Sequence, residues 1–361
     1  MTRRILFIDP VCPEPYRART LFDRALGGTE ASVVRVAEGL AQRGHRVTVA
    51  QCGRGWPARS PGGVAYVPFD YGGAWGHLPR AEAVVVLRQH KVLRRVRERF
   101  PAARLALWLH CVPGSKRRAL ASALGAAGAT AVCVSDAHRA ALHDFLRRKA
   151  GDGPASAPSV RIYNPVDDDL RPDGTAVDPD KLVFFSSPHK GLAEVLAAFA
   201  HVRRRRPSAR LYLADPGYWT GGRPDLPEGA VPLGPLPHRA VLEHVREAFA
   251  VFYPQAAFEE TFGLVFAEAN AVGTPVLAHP HAAAREVLGE TPGEHRQLVD
   301  ASDPEAAARR LARWWDEGRP AVRADPRFQT ARVVREWERL LGPSARPTAR
   351  PPTPLSVRAA A

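Results

Sequence analysis

Residues 258–278 read Phe258-Glu259-Glu260-Thr261-Phe262-Gly263-Leu264-Val265-Phe266-Ala267-Glu268-Ala269-Asn270-Ala271-Val272-Gly273-Thr274-Pro275-Val276-Leu277-Ala278. The apolar run before them stops at Pro254. The stretch therefore parses as a strand end, a loop holding an acidic pair, a helix that starts near Phe262-Gly263 and is stopped by Gly273, and a buried strand. Strand, helix and strand in that order build a parallel α/β sheet. The helix N-terminus offers free backbone N–H groups and the positive end of the dipole, which together can hold a diphosphate. Glu260 falls in the loop just before that end, and Glu268 lies about one and a half turns inside. Carboxylates repel phosphate but accept hydrogen bonds from sugar and ribose hydroxyls. Taken singly, Glu260 also reads as a dipole partner and Glu268 as a solvated helix residue.

Outward from this stretch, the same alternation covers nearly the whole chain. Strands are expected at 4–9, 46–51, 64–69, 83–87, 105–110, 131–135 and 160–163, with helices at 30–42, 91–99, 116–124 and 137–148. Loops rich in Gly, Pro, Ser and Asp intervene at 151–158 and 171–180. The second is the better boundary, because a new series starts after it: strands at 182–186, 210–214, 230–233, 250–253 and 275–278, and helices at 192–203, 239–248, 265–272, 304–317 and 330–341. Two similar α/β domains place a cleft where the carboxyl ends of their sheets meet. The tail from 342 to 361, proline-rich with small residues and Arg, is expected to be disordered.

The chain has 361 residues, 45% hydrophobic and 24% charged, which suits two globular domains. The longest uncharged stretch, 119–135, is Ala-rich and broken by Gly125 and Gly128, so it reads as a buried helix and strand rather than a membrane span. Arg3-Arg4 runs directly into Ile5-Leu6-Phe7-Ile8 with no leader-like apolar region, and export is not expected. Cys12, Cys52, Cys111 and Cys133 are widely spaced without a CxxC pair, so neither a zinc site nor a disulfide framework is expected and the natural compartment is a reducing cytoplasm.

Net charge is +14, and it is uneven. Residues 1–175 hold 27 Lys and Arg against 15 Asp and Glu, whereas residues 176–361 hold 24 against 22. Charge alone raises a nucleic-acid partner, but no basic motif is interleaved with aromatics, and the runs 147–149 and 203–206 fall at helix ends, where cations complement the dipole. Val92, Leu93, Val96 and Phe100 recur at helical spacing beneath a basic face. That segment reads either as a helix docking on anionic lipid or as an ordinary surface helix buried by its stripe.

The 258–278 segment resembles the E-x7-E region of retaining glycosyltransferases of family 4, which have the GT-B fold of two Rossmann-like domains facing each other across a cleft. Three other places match in the same order. Gly27-Gly28-Thr29-Glu30 resembles that family's first glycine-rich loop, near the donor diphosphate. His110 resembles a histidine that faces the donor sugar from the N-terminal domain. Ser186-Ser187-Pro188-His189-Lys190-Gly191 places Lys190 where it can neutralise a diphosphate leaving group. Asn164-Pro165-Val166-Asp167 resembles the Asn-Gly-Val-Asp that closes the first domain, and it serves only as a marker of the crossing. One departure stands out: family members usually carry an Arg five residues before the Lys, and Phe185 is there instead.

The resemblance implies an acceptor-side domain at 1–172, a nucleotide-sugar domain at 173–325, a helix crossing back at 326–341 and the tail at 342–361. It implies transfer from a nucleoside diphosphate sugar to a hydroxyl acceptor with retention, catalysed by Glu260, Lys190 and His110. The donor would be held by Gly27, Gly28, Lys190, Glu260, Phe262, Gly263, Leu264 and Glu268. No cofactor and no metal are expected. Asp167-Asp168-Asp169 is read as a solvated acidic turn, not a DxD metal motif. Glycan, glycolipid and natural-product acceptors all stay open, as does an anionic or lipid-linked one met by an enzyme peripheral at the inner membrane face. The alternatives are a non-catalytic sugar-nucleotide-binding relative, which Phe185 keeps open; a nucleotide-sugar epimerase, which lacks the Phe-Gly-Leu run; and, more distantly, a basic nucleic-acid-binding protein.

Overall fold

Continuous apolar runs such as Ile5-Leu6-Phe7-Ile8 and Val84-Val85-Val86-Leu87 form strands buried on both faces, as a parallel sheet covered by helices requires. A computed structural model of the chain describes residues 2–12, 14–114, 119–150, 158–215, 226–289 and 296–342. The first half runs β1 (Arg4–Asp9), α1 (Thr20–Asp23), α2 (Gly28–Gln42), β2 (Arg46–Gln51), β3 (Ala58–Arg59), β4 (Ala65–Pro68), β5 (Ala83–Leu87), α3 (Leu93–Arg99), β6 (Arg104–Trp108), α4 (Leu120–Ala127), β7 (Ala129–Cys133), α5 (Asp136–Ala150) and β8 (Ser159–Arg161). The second runs β9 (Asp178–Phe184), α6 (Leu192–Arg205), β10 (Arg210–Asp215), β11 (Ala230–Pro235), α7 (His238–Glu247), β12 (Ala248–Tyr253), α8 (Leu264–Ala271), β13 (Val276–Ala278), α9 (Ala284–Leu288), α10 (Pro304–Glu317) and α11 (Thr330–Leu341).

The strands form two sheets, ordered β3-β4-β2-β1-β5-β6-β7-β8 and β11-β10-β9-β12-β13. Every pairing is parallel except β3 with β4. The fold is α/β with two Rossmann-like domains. Strand order reverses between β1 and β5 in the first sheet and between β9 and β12 in the second, and such switch points open a crevice at the carboxyl ends of the strands.

Helix α11 packs on α2 of the first domain. A side chain at Gly39 would put its Cβ 2.5 Å from Val334 Cγ2, so the approach needs glycine. The Trp337 ring sits 4.6 Å from that of Trp108, and Glu338 pairs with Arg43 at 2.6 Å and His45 at 3.0 Å.

Several expectations are corrected. The strand expected at 105–110 closes at Trp108. Leu109 still donates to the Val132 carbonyl, and the chain then leaves the sheet, so His110 lies beyond the strand. Lys91 falls in a 3-10 turn, His90–Val92, ahead of α3. Val92, Leu93, Val96 and Phe100 are buried in the domain's own core, which leaves no apolar face to insert into lipid. The basic residues around them hold loops: Arg97 donates to the carbonyls of Ala127, Pro101 and Ala103, Arg99 to that of Leu78, and Arg95 to that of Tyr71. Asp167 and Asp168 are structural rather than merely solvated: Asp167 takes two hydrogen bonds from Arg35, and Asp168 accepts from the Ala331 amide at the start of α11. Cys12 and Cys52, forty residues apart, are brought to an Sγ–Sγ distance of 3.5 Å as free thiols. The helix expected at 116–124 is seen as α4, with Lys116, Arg117 and Arg118 outside the described residues; so are nearly all of the 151–158 loop and the tail beyond Gly342. Among the described residues, no helix is long and apolar enough to cross a membrane.

Candidate active site

The two switch points face one another across a cleft of about 540 Å³ lined by both halves. Its back is stitched shut. Thr261 Oγ1 donates to the His110 carbonyl at 3.0 Å, Ser135 Oγ donates to the Thr261 carbonyl at 2.6 Å, and Glu286 of α9 accepts from the Asp136 and Ala137 amides at the start of α5.

On the second-domain wall, the loop after β9 carries Lys190 and the loop after β12 carries Glu260. Lys190 Nζ donates to Glu260 Oε1 at 2.9 Å, and the buried Tyr253 hydroxyl donates to the same oxygen at 2.9 Å. Burial first, and then the Glu260 charge, push the Tyr253 hydroxyl well above its usual range, so it stays a donor. Gly263 caps α8 with φ +81, and a Cβ there would meet the Phe266 ring at 2.4 Å, so the turn admits only glycine. Neither α8 nor α2 has a side-chain cap, and the first residues of both line the cleft, where a Cβ on Gly28 would come within 2.9 Å of Leu264 Cδ1.

Glu268 is 3% exposed and faces the cleft. It is held by His238 Nε2 at 3.0 Å and lies 3.6 Å from Arg35 Nη2, which comes from α2 in the other domain. A solvated helix residue is therefore excluded. Burial alone would raise the Asp167 pKa, but the two bonds and charge of Arg35 outweigh it, and the carboxyl titrates below its usual range.

On the first-domain wall, Asp9 ends β1 and Arg88 follows β5, so the pair sits at the switch point of that sheet. Arg88 Nη2 reaches Asp9 Oδ1 and Glu30 Oε1, both at 3.1 Å, and the Tyr16 hydroxyl donates to Asp9 Oδ2 at 2.9 Å. Arg88 adopts φ +57, a left-handed backbone unusual for a residue with a side chain. His110 is next in line. Burial, then the charges of Arg88 and His138, lower its pKa well below 6.5, and its ring is neutral at physiological pH.

All the residues expected at the site lie on one surface: Gly27, Gly28, His110, Lys190, Glu260, Phe262, Gly263, Leu264 and Glu268 all line this cleft, as does Phe185 in the position where an Arg was expected. Sequence reasoning missed Arg35, Arg88 and His238, which line it too, as do Glu30 and Asn164 from the two quoted motifs, to which it gave no role. The strand order could have pointed to Arg88, since residues just past β1 and β5 must meet. Nothing local marks Arg35 or His238.

The architecture is that of GT-B glycosyltransferases, and solved structures of this kind resemble the chain. AviGT4, a glycosyltransferase involved in avilamycin A biosynthesis, has a TM-score of 0.57 at 20% identity, with 94% of this chain and 97% of that one covered. Anabaena Alr3699/HepE, solved with UDP and glucose, has a TM-score of 0.60 at 18% identity, with 94% and 99% covered. The pneumococcal O-GlcNAc transferase GtfA, solved with UDP and GlcNAc, has a TM-score of 0.55 at 14% identity; 72% of this chain is covered, but it spans only 56% of that protein. Residues 168–327 match the family described as glycosyl transferases group 1, a region that contains Lys190, Glu260 and Glu268. No curated protein matches the chain. The fold is thus shared with these structures, and the family match covers 160 of the 361 residues, less than half of the chain.

Proposed function

We propose that the protein is a retaining glycosyltransferase that moves a sugar from a nucleoside diphosphate sugar to a hydroxyl acceptor. The observation that carries this reading is the Lys190–Glu260 pair, set at the second sheet's switch point and facing the Gly27-Gly28 turn across the cleft. In this reading Glu268 binds the ribose hydroxyls and Glu260 a hydroxyl of the donor sugar. Amides around Phe262, Gly263 and Leu264 hold the diphosphate, with Gly27 and Gly28 close on the other side. As the anomeric carbon leaves the phosphate oxygen, Lys190 and the two helix N-termini stabilise the charge that develops, so the reaction needs no metal to do so. The acceptor hydroxyl attacks from the face the diphosphate leaves, and the departing phosphate oxygen takes its proton. Neutral His110 serves as a hydrogen-bond partner for a sugar hydroxyl, not as an imidazolium acid. The structures of HepE and GtfA hold UDP, which makes a uridine diphosphate sugar the first donor to try. We assign the acceptor side to residues 1–172 and the donor side to 173–325.

Glu260→Gln and Lys190→Ala, assayed for transfer and donor hydrolysis, test the assignment, and full activity in both variants would remove it. Phe185 on the cleft wall favours one second reading, a sugar-nucleotide-binding relative without turnover. UDP binding by wild-type protein with no release of sugar from any UDP-sugar would favour it.

A further inference from the structure

We infer that Cys12 and Cys52 form a redox site, in which a peroxide joins the two thiols in a reversible disulfide just beyond the ends of β1 and β2. The inference is independent of the transferase reading and concerns two side chains that the cleft chemistry leaves unused.

The sheet assembles the pair. β1 and β2 run parallel with Asp9 opposite Gln51, and the Cys52 amide extends that ladder by donating to the Asp9 carbonyl at 3.0 Å. The chain beyond Asp9 then brings the two sulfurs to 3.5 Å. Each thiol donates to the other residue's carbonyl, Cys12 Sγ at 3.0 Å and Cys52 Sγ at 3.3 Å. A disulfide needs the sulfurs to close by only about a further 1.5 Å. The backbone on both sides is pinned: the Tyr16 hydroxyl donates to Asp9, the Gln51 side chain bonds both the amide and the carbonyl of Tyr16, and Arg54 donates to Gln51 Oε1 and to the same carbonyl. Two reacting groups held in contact by fixed chain react far faster than two that must find each other.

The two sulfurs have different surroundings. Cys12 is 6% exposed, and burial, followed by the Asp9 charge, pushes its thiol up, so it stays protonated. Cys52 is only half-buried, and it is the sulfur an oxidant reaches first. Cys52 gives up its proton to water and attacks one oxygen of hydrogen peroxide. An S–O bond forms, the O–O bond breaks, and the departing hydroxide takes up a proton to leave as water. The Cys12 sulfur then attacks the sulfenic sulfur of Cys52. The S–S bond forms as the S–O bond breaks, and the second hydroxide carries off the Cys12 proton as water. Two thiols and one hydrogen peroxide thus give one disulfide and two waters. The bond closes a loop between residues 40 positions apart, which restricts the unfolded chain and stabilises the folded one.

The experiment treats the reduced full chain with graded hydrogen peroxide, blocks the remaining thiols with iodoacetamide, and reads intact mass and tryptic peptides. Two of the four thiols should disappear together, with one peptide cross-link between Cys12 and Cys52, while Cys111 and Cys133 are alkylated. Dithiothreitol should restore all four. The oxidised protein should unfold about 5 °C higher than the reduced one. Cys12→Ser should halt the reaction at the Cys52 sulfenic acid, trapped by dimedone, and Cys52→Ser should leave Cys12 unmodified at the same dose. Thermal unfolding of the untreated variants checks that they fold, and should either fail, the wild-type peptide map decides alone. A cross-link through Cys111 or Cys133, oxidation of Cys52 past the sulfenic acid without a cross-link, or four free thiols after a dose that oxidises free cysteine would overturn the inference.

Discussion

Glu260 Oε1 receives both Lys190 Nζ and the Tyr253 hydroxyl at 2.9 Å, so a single carboxylate oxygen ties together the loops that follow β9 and β12. Tyr253→Phe removes one of those donors without touching the cation. It should cost about 1 kcal/mol of stability, as the loss of one buried hydrogen bond does, and lower kcat/KM by a few-fold while leaving the variant active. Chemical denaturation and steady-state kinetics on the same preparation check both parts.

Arg35 bridges the domains through Asp167 and Glu268 and is 4% exposed. Arg35→Ala leaves a buried carboxylate without its cation and should destabilise the protein by about 3 kcal/mol. Arg35→Lys should recover only part of this, because a lysine cannot make the two parallel bonds to Asp167. Urea unfolding of the two variants gives the comparison.

His110 supplies a pH signature. Its folded pKa lies below 6.5, so the neutral ring is what folding favours. Above the unfolded value the group has no effect on stability. As pH falls below about 6.5 the unfolded chain takes up a proton that the folded chain refuses, which costs up to about 1.4 kcal/mol per pH unit until the folded pKa is reached. His110→Gln should therefore lose less Tm than wild type between pH 7.5 and 5.5. An equal loss in both proteins would show that His110 is not held neutral.

Gly263 opens α8 at φ +81 against the Phe266 ring. Gly263→Ala should cost about 1–3 kcal/mol from the backbone alone. If the α8 amides hold the diphosphate, UDP affinity should fall as well. Thermal unfolding with and without UDP separates the two effects, because the UDP-induced rise in Tm would shrink in addition to the lower starting point.

Much of the architecture was legible in the sequence, because parallel strands buried on both faces are continuous apolar runs and their helices carry a 3.6-residue period. The 258–278 stretch also revealed its strand, loop and helix, since Gly263 and Gly273 punctuate it at positions of positive φ. What stayed hidden depends on tertiary neighbours. Arg35 reads as one more helix residue until Asp167, 132 positions away, lies beside it. Arg88 reads as the end of an apolar strand until the β1–β5 neighbour relation delivers Asp9. Net charge is uninformative for the same reason: a count cannot distinguish an arginine facing solvent from Arg97, which holds four backbone carbonyls.

The most direct test of the central claim, that this cleft holds a nucleoside diphosphate against Lys190, is calorimetric titration of UDP into wild-type protein and Lys190→Ala. Wild type should bind UDP, and the variant should bind it at least about tenfold more weakly. Equal affinity in the two proteins, or no binding of UDP, GDP or ADP to wild type, would contradict the account.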